Sequence, residues 1–186
     1  MIIELPNVID EVKIAKYRQS FKEIALKKKT LNGSYNREGL TINVFNHPEL
    51  DYINVELRNV ISDLLNNVVR QRFKPFCHNT RDTGFEYHRY DSGQICHVHG
   101  DGEITKQEEK WYLRYLTFIL FLTTNKDGDL VFPAQDKTIK PEAGKVVFFP
   151  PYGFYSHYTK PDNNVREILM TWLLYSDWEL KEAKYD

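Results

Sequence analysis

Apolar and polar positions divide the chain into two parts. Up to about residue 75 the apolar positions recur at helical spacing, and from about residue 84 they alternate or gather in short runs between turn residues. Ile14, Tyr17, Phe21 and Ile24, with Lys, Arg and Glu between them, predict a helix over 10–29. Leu31-Asn32-Gly33-Ser34 breaks it, and residues 40–45 alternate like a short strand. Asn46-His47-Pro48 is a helix start, because proline is tolerated in a first turn. Ile53, Leu57, Val60, Ile61, Leu64, Leu65 and Val68 then form one stripe and predict a helix over 51–70. Both stripes are read as faces that pack on a sheet.

Short strands are predicted at 85–90, 94–99, 130–133, 137–141, 145–149, 154–159 and 165–175. Residues 113–123 (LRYLTFILFLT) are almost all apolar or β-forming and predict a central strand. About eight strands at this spacing predict a mostly-β fold with N-terminal helices, a double-stranded β-helix or jelly roll. The chain reads as one domain over 1–186. Residues 1–75 are its mainly helical support, and residues 84–175 are its core.

Composition narrows the class. A chain of 186 residues can bury a core without a disulfide or metal staple. With 41% hydrophobic and 27% charged residues, global disorder is disfavoured. No long apolar run suggests a membrane span, and the start MIIELPNVIDEV has no secretory pattern. A net charge of -1 argues against a general nucleic-acid binder. Cys77 and Cys96 have no metal-type spacing, so a reduced, cytoplasmic setting is expected.

Candidate chemistry concentrates between Tyr90 and Asp101. Two of the six histidines, His97 and His99, stand there beside a carboxylate. On an extended strand His97, His99 and Asp101 share one face. Imidazole and carboxylate together suit a divalent transition metal such as Fe(II). His157, ending an aromatic run, is the candidate third ligand; alone it reads as a sheet-rim histidine bonded to a backbone carbonyl. Arg166 lies nine residues further on, at the head of a strongly β-forming run. A guanidinium there needs an anionic partner, either a protein carboxylate or an anionic cosubstrate.

The ordered set of motifs resembles the Fe(II)/2-oxoglutarate-dependent dioxygenases, in their prolyl 4-hydroxylase-like branch. The resemblance covers residues 84–175. It rests on Tyr90 and Gly93 with His99 and Asp101 following, then Arg114 and Thr117 in an Arg-x-x-Thr strand. Gly128, Leu130 and Phe132 follow, then Pro141 and Gly144, and finally His157 and Arg166. This register selects His99 over His97, which strand geometry alone leaves open. The resemblance implies His99, Asp101 and His157 as metal ligands on Fe(II), and Arg166 as partner of the far carboxylate of 2-oxoglutarate. It further implies Tyr90 and Thr117 near that cosubstrate, O2 as the oxidant and ascorbate as a candidate reductant. The implied activity is hydroxylation of an unactivated C–H bond, with a prolyl residue in a peptide or protein as the candidate substrate.

Two positions depart from relatives. Cys96 stands where they often carry Tyr, and Phe121 where some carry a Tyr that helps bind the far carboxylate. Without that hydroxyl the carboxylate depends more on Arg166, with Tyr90 or Thr117. The Gly-initiated charged stretch 102–110 reads equally as a lid or as a solvated connection. Two other readings stand beside the dioxygenase. One is a cupin-type metal enzyme without 2-oxoglutarate, using His97, His99, Glu103 and His157. The other is a non-catalytic jelly-roll binding domain. Expected partners are 2-oxoglutarate and a peptide, protein or small-molecule substrate, with no membrane or nucleic acid. The N-terminal helices buttress the sheet or form a dimer contact, so the chain is expected as a monomer or a homodimer.

Overall fold

Along one long strand, Leu116, Phe118 and Leu120 alternate with Thr117, Ile119 and Phe121, and the two sets enter different layers of the fold. The computed structural model describes residues 2–27, 38–69, 81–107 and 110–180. The predicted break at 31–34 and Cys77 lie outside them.

The chain begins with β1 (Ile3–Leu5), α1 (Glu11–Lys27), β2 (Leu40–Asn43) and α2 (Asp51–Leu64), which continues into a π-helical turn (Leu65–Val69). The strands β3 (Arg81–Asp82), β4 (Glu86–Tyr90), β5 (Ile104–Gln107), β6 (Lys110–Phe121) and β7 (Leu130–Phe132) follow. The last are β8 (Lys137–Ile139), β9 (Val146–Phe149), β10 (Tyr158–Thr159) and β11 (Arg166–Leu180). The larger sheet runs β1-β9-β6-β11-β4-β2, with β3 added to β11 and β5 to β6; the smaller runs β10-β7-β8. Every pairing is antiparallel. This is the expected double-stranded β-helix.

The helices cover one face of the large sheet. Tyr17, Phe21 and Ile24 of α1 and Ile53, Leu57 and Ile61 of α2 share a core with Leu116, Phe118, Leu120 and Leu169. Phe21 stacks on Tyr87 with ring centroids 4.1 Å apart. The other face closes against the small sheet, where Ile119, Phe121, Val147, Phe149, Ile168 and Met170 meet Leu130, Phe132 and Ile139. Burial on both faces explains why β6 reads as a nearly continuous apolar run. Among the described residues no helix is long and apolar enough to cross a membrane.

Several local expectations are corrected. Residues 94–99 are not a strand: they make only isolated bridge contacts at Cys96 and His99. Their backbone groups are satisfied one at a time, by Glu38, Thr159 and His157, so no single neighbour keeps the segment extended. Residues 153–155 form a tight helical turn, and only Tyr158 and Thr159 of the predicted 154–159 strand pair. The stretch 102–110 contains β5, which pairs with β6 as a hairpin. β11 runs to Leu180 rather than stopping at 175. β1 was not predicted, because three residues are too few to show a period; it pairs with β9 through Ile3, Glu4 and Leu5. The described residues among 1–75 therefore supply two strands as well as the helices.

Candidate metal centre

His99 and His157 lie on segments that are irregular by themselves, so something must hold them in register. Their backbones do this directly: His99 N–H donates to the His157 carbonyl at 3.0 Å, and His157 N–H donates to the His99 carbonyl at 2.9 Å. Gly100 assists, since a Cβ there would meet the Gly153 Cα at 3.4 Å. The two imidazole rings are thereby brought to 4.4 Å between centroids.

Each ring is oriented by its own backbone. His99 Nδ1 lies 2.8 Å from the His97 carbonyl oxygen, and His157 Nδ1 lies 3.1 Å from the Tyr155 carbonyl oxygen. A carbonyl can only accept, so each Nδ1 carries the proton and each Nε2 is left as the donor atom for a cation. Both Nε2 atoms face Asp101 Oδ1, at 3.5 Å and 3.8 Å. The ligand atoms of His99, Asp101 and His157 all lie within 4.8 Å of one another.

Asp101 is held just as specifically. Its Oδ2 accepts the Thr117 hydroxyl at 2.5 Å, and its carbonyl accepts the Arg114 guanidinium. Oδ1 is buried and makes no hydrogen bond. Burial pushes the Asp101 carboxyl up, yet the His99 and His157 imidazoles and the Thr117 hydroxyl outweigh it and hold the group well below the usual carboxylate range. Burial likewise works against charge on His99, but Asp101 and Cys96 dominate and raise it to about 10. A divalent ion bound at this point would compete with protons for the same ligand atoms. An orphaned buried carboxylate oxygen flanked by two imidazole nitrogens fits a two-His, one-carboxylate metal centre.

The walls are apolar. Phe149 lies edge-on to the His157 ring at 4.9 Å, and Phe132 lies at 5.3 Å. Arg114 places its guanidinium 4.2 Å over the Trp172 ring. Trp172 is 8% exposed, and its indole N–H makes no hydrogen bond.

Arg166 enters the same interior from the head of β11 and is 2% exposed. Its Nη1 donates to the carbonyls of Gly128 (3.0 Å) and Lys160 (3.2 Å), and its Nη2 donates to the Thr159 hydroxyl (2.8 Å). The Tyr90 ring lies beneath it at 4.3 Å. Burial lowers the Arg166 pKa, partly offset by Tyr90, Cys96 and Asp162. All these hydrogen-bond acceptors are neutral, and the Asp162 carboxylate acts on the guanidinium only through space, so this buried cation has the chemistry to take an anion.

The structure thus gathers His99, Asp101 and His157 at one point, and Tyr90 with Arg166 at another. Thr117 sits with the first group, on Asp101, and not with Arg166. His97 does not join: its side chain is 55% exposed and turned toward Glu38 Oε1 at 3.6 Å. Glu103 is exposed as well, so the four-residue set of the cupin reading is not assembled. Phe121 is buried in the inner core. Tyr152 and Phe154 are exposed at the rim, whereas Trp172 is buried. Sequence reasoning missed the contacts of Cys96 Sγ with His99 and the role of Thr159 in bonding both Cys96 N–H and Arg166. No periodicity signals such contacts: the Cys96–Thr159 bond joins residues 63 apart in the chain, and the two shorter-range contacts lie in segments without a regular repeat.

Residues 85–174 match the family model described as the 2OG-Fe(II) oxygenase superfamily. No curated protein matches the chain in sequence. Solved structures do resemble it. The viral collagen prolyl hydroxylase vCPH of Paramecium Bursaria Chlorella virus-1, in its 2OG complex, is 20% identical at a TM-score of 0.65. The match covers 93% of this chain and 95% of that one. A Trichoplax adhaerens prolyl hydroxylase, in complex with a hypoxia inducible factor oxygen degradation domain peptide fragment, is 17% identical at a TM-score of 0.71. That match covers 93% of this chain and 83% of the other. HygX from Streptomyces hygroscopicus, with nickel and 2-oxoglutarate bound, is 12% identical at a TM-score of 0.65, over 95% of this chain and 84% of that one. At these identities the likeness is one of fold.

Proposed function

The chain belongs, through residues 85–174, to the 2OG-Fe(II) oxygenase superfamily, and on that premise we propose that it hydroxylates a prolyl residue in a peptide, with Fe(II) held by His99, Asp101 and His157 and 2-oxoglutarate by Arg166. It is a 2-oxoglutarate- and Fe(II)-dependent dioxygenase. When bound, the iron and cosubstrate supply O2 activation for attack on a substrate C–H bond, with succinate and carbon dioxide released.

In this reading the chain's own residues position, neutralise and dry the site. The two imidazoles keep their Nε2 atoms on the metal through the backbone bonds made at Nδ1. Thr117 holds Asp101 by Oδ2, so that Oδ1 remains the ligand. Arg166, whose guanidinium lies over the Tyr90 ring, would pair with the far carboxylate of 2-oxoglutarate, and the apolar residues of the inner core would exclude water and strengthen that pair. The observation that carries the reading is this buried guanidinium with only neutral hydrogen-bond acceptors, in the same interior as a three-donor metal cluster.

Support for a prolyl peptide is twofold. Two of the similar structures are prolyl hydroxylases, one of them with a peptide bound. The rim also offers exposed Val98, Tyr152 and Phe154 for an apolar ring.

The test is anaerobic. Fe(II) and then 2-oxoglutarate are added to the purified protein while visible absorbance is followed. A weak metal-to-ligand charge-transfer band is expected only with both, lost in His99→Ala and weakened in Arg166→Ala. Tight metal binding with no band refutes the cosubstrate. After O2 is admitted, proline-containing peptides should gain one oxygen and alanine-substituted ones none. Cosubstrate turnover with no product from any such peptide would remove the prolyl assignment and leave the dioxygenase standing.

A further inference from the structure

Cys96 is a buried thiol that the roles assigned above do not use. It is 4% exposed and carries no disulfide. Its Sγ lies 3.6 Å from His99 Nδ1 and 3.9 Å from His99 Nε2, the nitrogen assigned to the metal. Its backbone N–H donates to the Thr159 hydroxyl at 2.8 Å, and the same hydroxyl accepts from Arg166 Nη2 at 2.8 Å. Cys96 therefore spans the two ends of the site, with its sulfur at the metal end and its backbone at the carboxylate end. The buried Asp101 Oδ1, without a hydrogen bond and aimed between the imidazoles, marks independently where an ion sits relative to that sulfur.

A thioether or thiol sulfur is softer and easier to oxidise than any C–H bond. At 4% exposure Cys96 is also poorly reached by oxidants in bulk solvent. An oxidant formed at the neighbouring metal cluster reaches it more directly. We propose that Cys96 is an internal oxygen acceptor: when 2-oxoglutarate and O2 are consumed without a bound substrate, the Cys96 thiol is oxygenated to a sulfenic acid. The inference rests on the dioxygenase reading above.

The step balances. One oxygen atom of O2 is inserted into the S–H bond of Cys96, giving S–O–H. The other enters 2-oxoglutarate as its C1–C2 bond breaks, giving succinate and carbon dioxide. The sulfur and the cosubstrate each lose two electrons, which together reduce O2 fully, and no outside reductant is needed. The consequence is a stop. An oxygen added to Sγ, which lies 3.6 Å from His99 Nδ1, crowds the metal end of the site, so enzyme idling without substrate switches itself off. A thiol returns it to the active form, since the sulfenic level of oxidation is reversible.

The experiment loads the full chain anaerobically with Fe(II) and 2-oxoglutarate, verifies the charge-transfer band, and then admits O2 with catalase present and no peptide. Carbon dioxide release is followed alongside intact mass and peptide mapping after denaturation in dimedone. The expected result is a mass gain of one oxygen atom, and a dimedone adduct on the Cys96 peptide, growing in step with carbon dioxide release. Both are absent when 2-oxoglutarate is omitted, and Cys77 stays unmodified. Cys96→Ser and Cys96→Ala should lack the adduct and release carbon dioxide for longer. Band and turnover with an unmodified Cys96 overturn the inference while leaving the dioxygenase reading intact. So does oxygen found on another residue, or equal labelling of Cys77. Absence of the band removes the dioxygenase reading itself, and the inference with it.

Discussion

Thr117→Val isolates one hydrogen bond on Asp101, a metal ligand in the proposed assignment. Thr117 is fully buried at the middle of β6, opposite Trp172 on β11 and Phe149 on β9. Valine matches its shape and β-branching, so the backbone and the neighbouring packing should be kept. What is lost is the 2.5 Å bond to Asp101 Oδ2. A hydrogen bond to a charged group is worth about 1.5–3 kcal/mol. Partners behind a metal ligand typically carry about 10–100-fold in affinity, which is about 1.4–2.7 kcal/mol. The two figures agree, so Fe(II) or Mn(II) affinity should fall by about 10–100-fold. Thr117→Ser keeps the hydroxyl and should recover most of the loss. The assay is an anaerobic metal titration, with thermal unfolding of each metal-free variant as the folding control. If Thr117→Val binds metal as the parent does, and instead weakens only 2-oxoglutarate, then Thr117 acts at the cosubstrate, as the resemblance implied, and the geometric argument is wrong.

Gly128→Ala should act on the cosubstrate end. Gly128 has φ of 76°, and an added Cβ would lie 3.3 Å from Arg166 Nη1 and 3.1 Å from Asp162 Cβ. The KM for 2-oxoglutarate should rise while metal affinity holds; equal losses in both would refute a local effect. Tyr87→Phe should lower stability by about 1–3 kcal/mol in urea unfolding, because the Tyr87 hydroxyl donates at 2.6 Å to the buried Glu167 carboxylate on the helix side of the sheet. Metal binding should not change. Asp162 provides a pH test. Burial raises its pKa, but the backbone N–H groups of Asn164 (2.6 Å) and Asp127 (2.9 Å) outweigh this and leave it below the usual carboxylate range. A folded-state pKa below the unfolded one stabilises above about pH 4, and that contribution disappears as pH falls through the lower value. Asp162→Asn should therefore be less stable than the parent at pH 7 and closer to it at low pH; a constant difference in melting temperature across that range would count against the argument.

The parts of the protein that were legible in the sequence are those governed by local periods. The stripe from Ile14 to Ile24 and the stripe from Ile53 to Leu65 are buried as expected. The apolar run of β6 lies between two cores. These follow because a helix or a strand repeats its environment every few residues, so burial writes itself into the sequence. The motif order carried the resemblance as well, and the family model matches the same stretch, residues 85–174.

Local pattern failed between Gln94 and Asp101. Read as a strand, that stretch gives His97 and His99 equal claims on one face. The folded chain gives it no strand partner, so alternation has no hold there; His97 turns toward Glu38 and His99 inward. The hydroxyl partner of Thr117 was not legible for a related reason. Its place on β6 was readable, but whether its hydroxyl meets Asp101 or Arg166 depends on where the segment after β4 crosses the sheet.

By itself, then, the sequence determined the two amphipathic helices, the long central strand and most of the shorter ones, which faces are apolar, and which residue types are available for chemistry. Tertiary structure alone decided that His99 and His157 exchange backbone hydrogen bonds, that Asp101 Oδ1 is left without one, and that Cys96 and Arg166 meet at Thr159. Those contacts join residues far apart in the chain. Their free energy comes from burial in a shared interior, and no single segment contains the information about what it will be buried against.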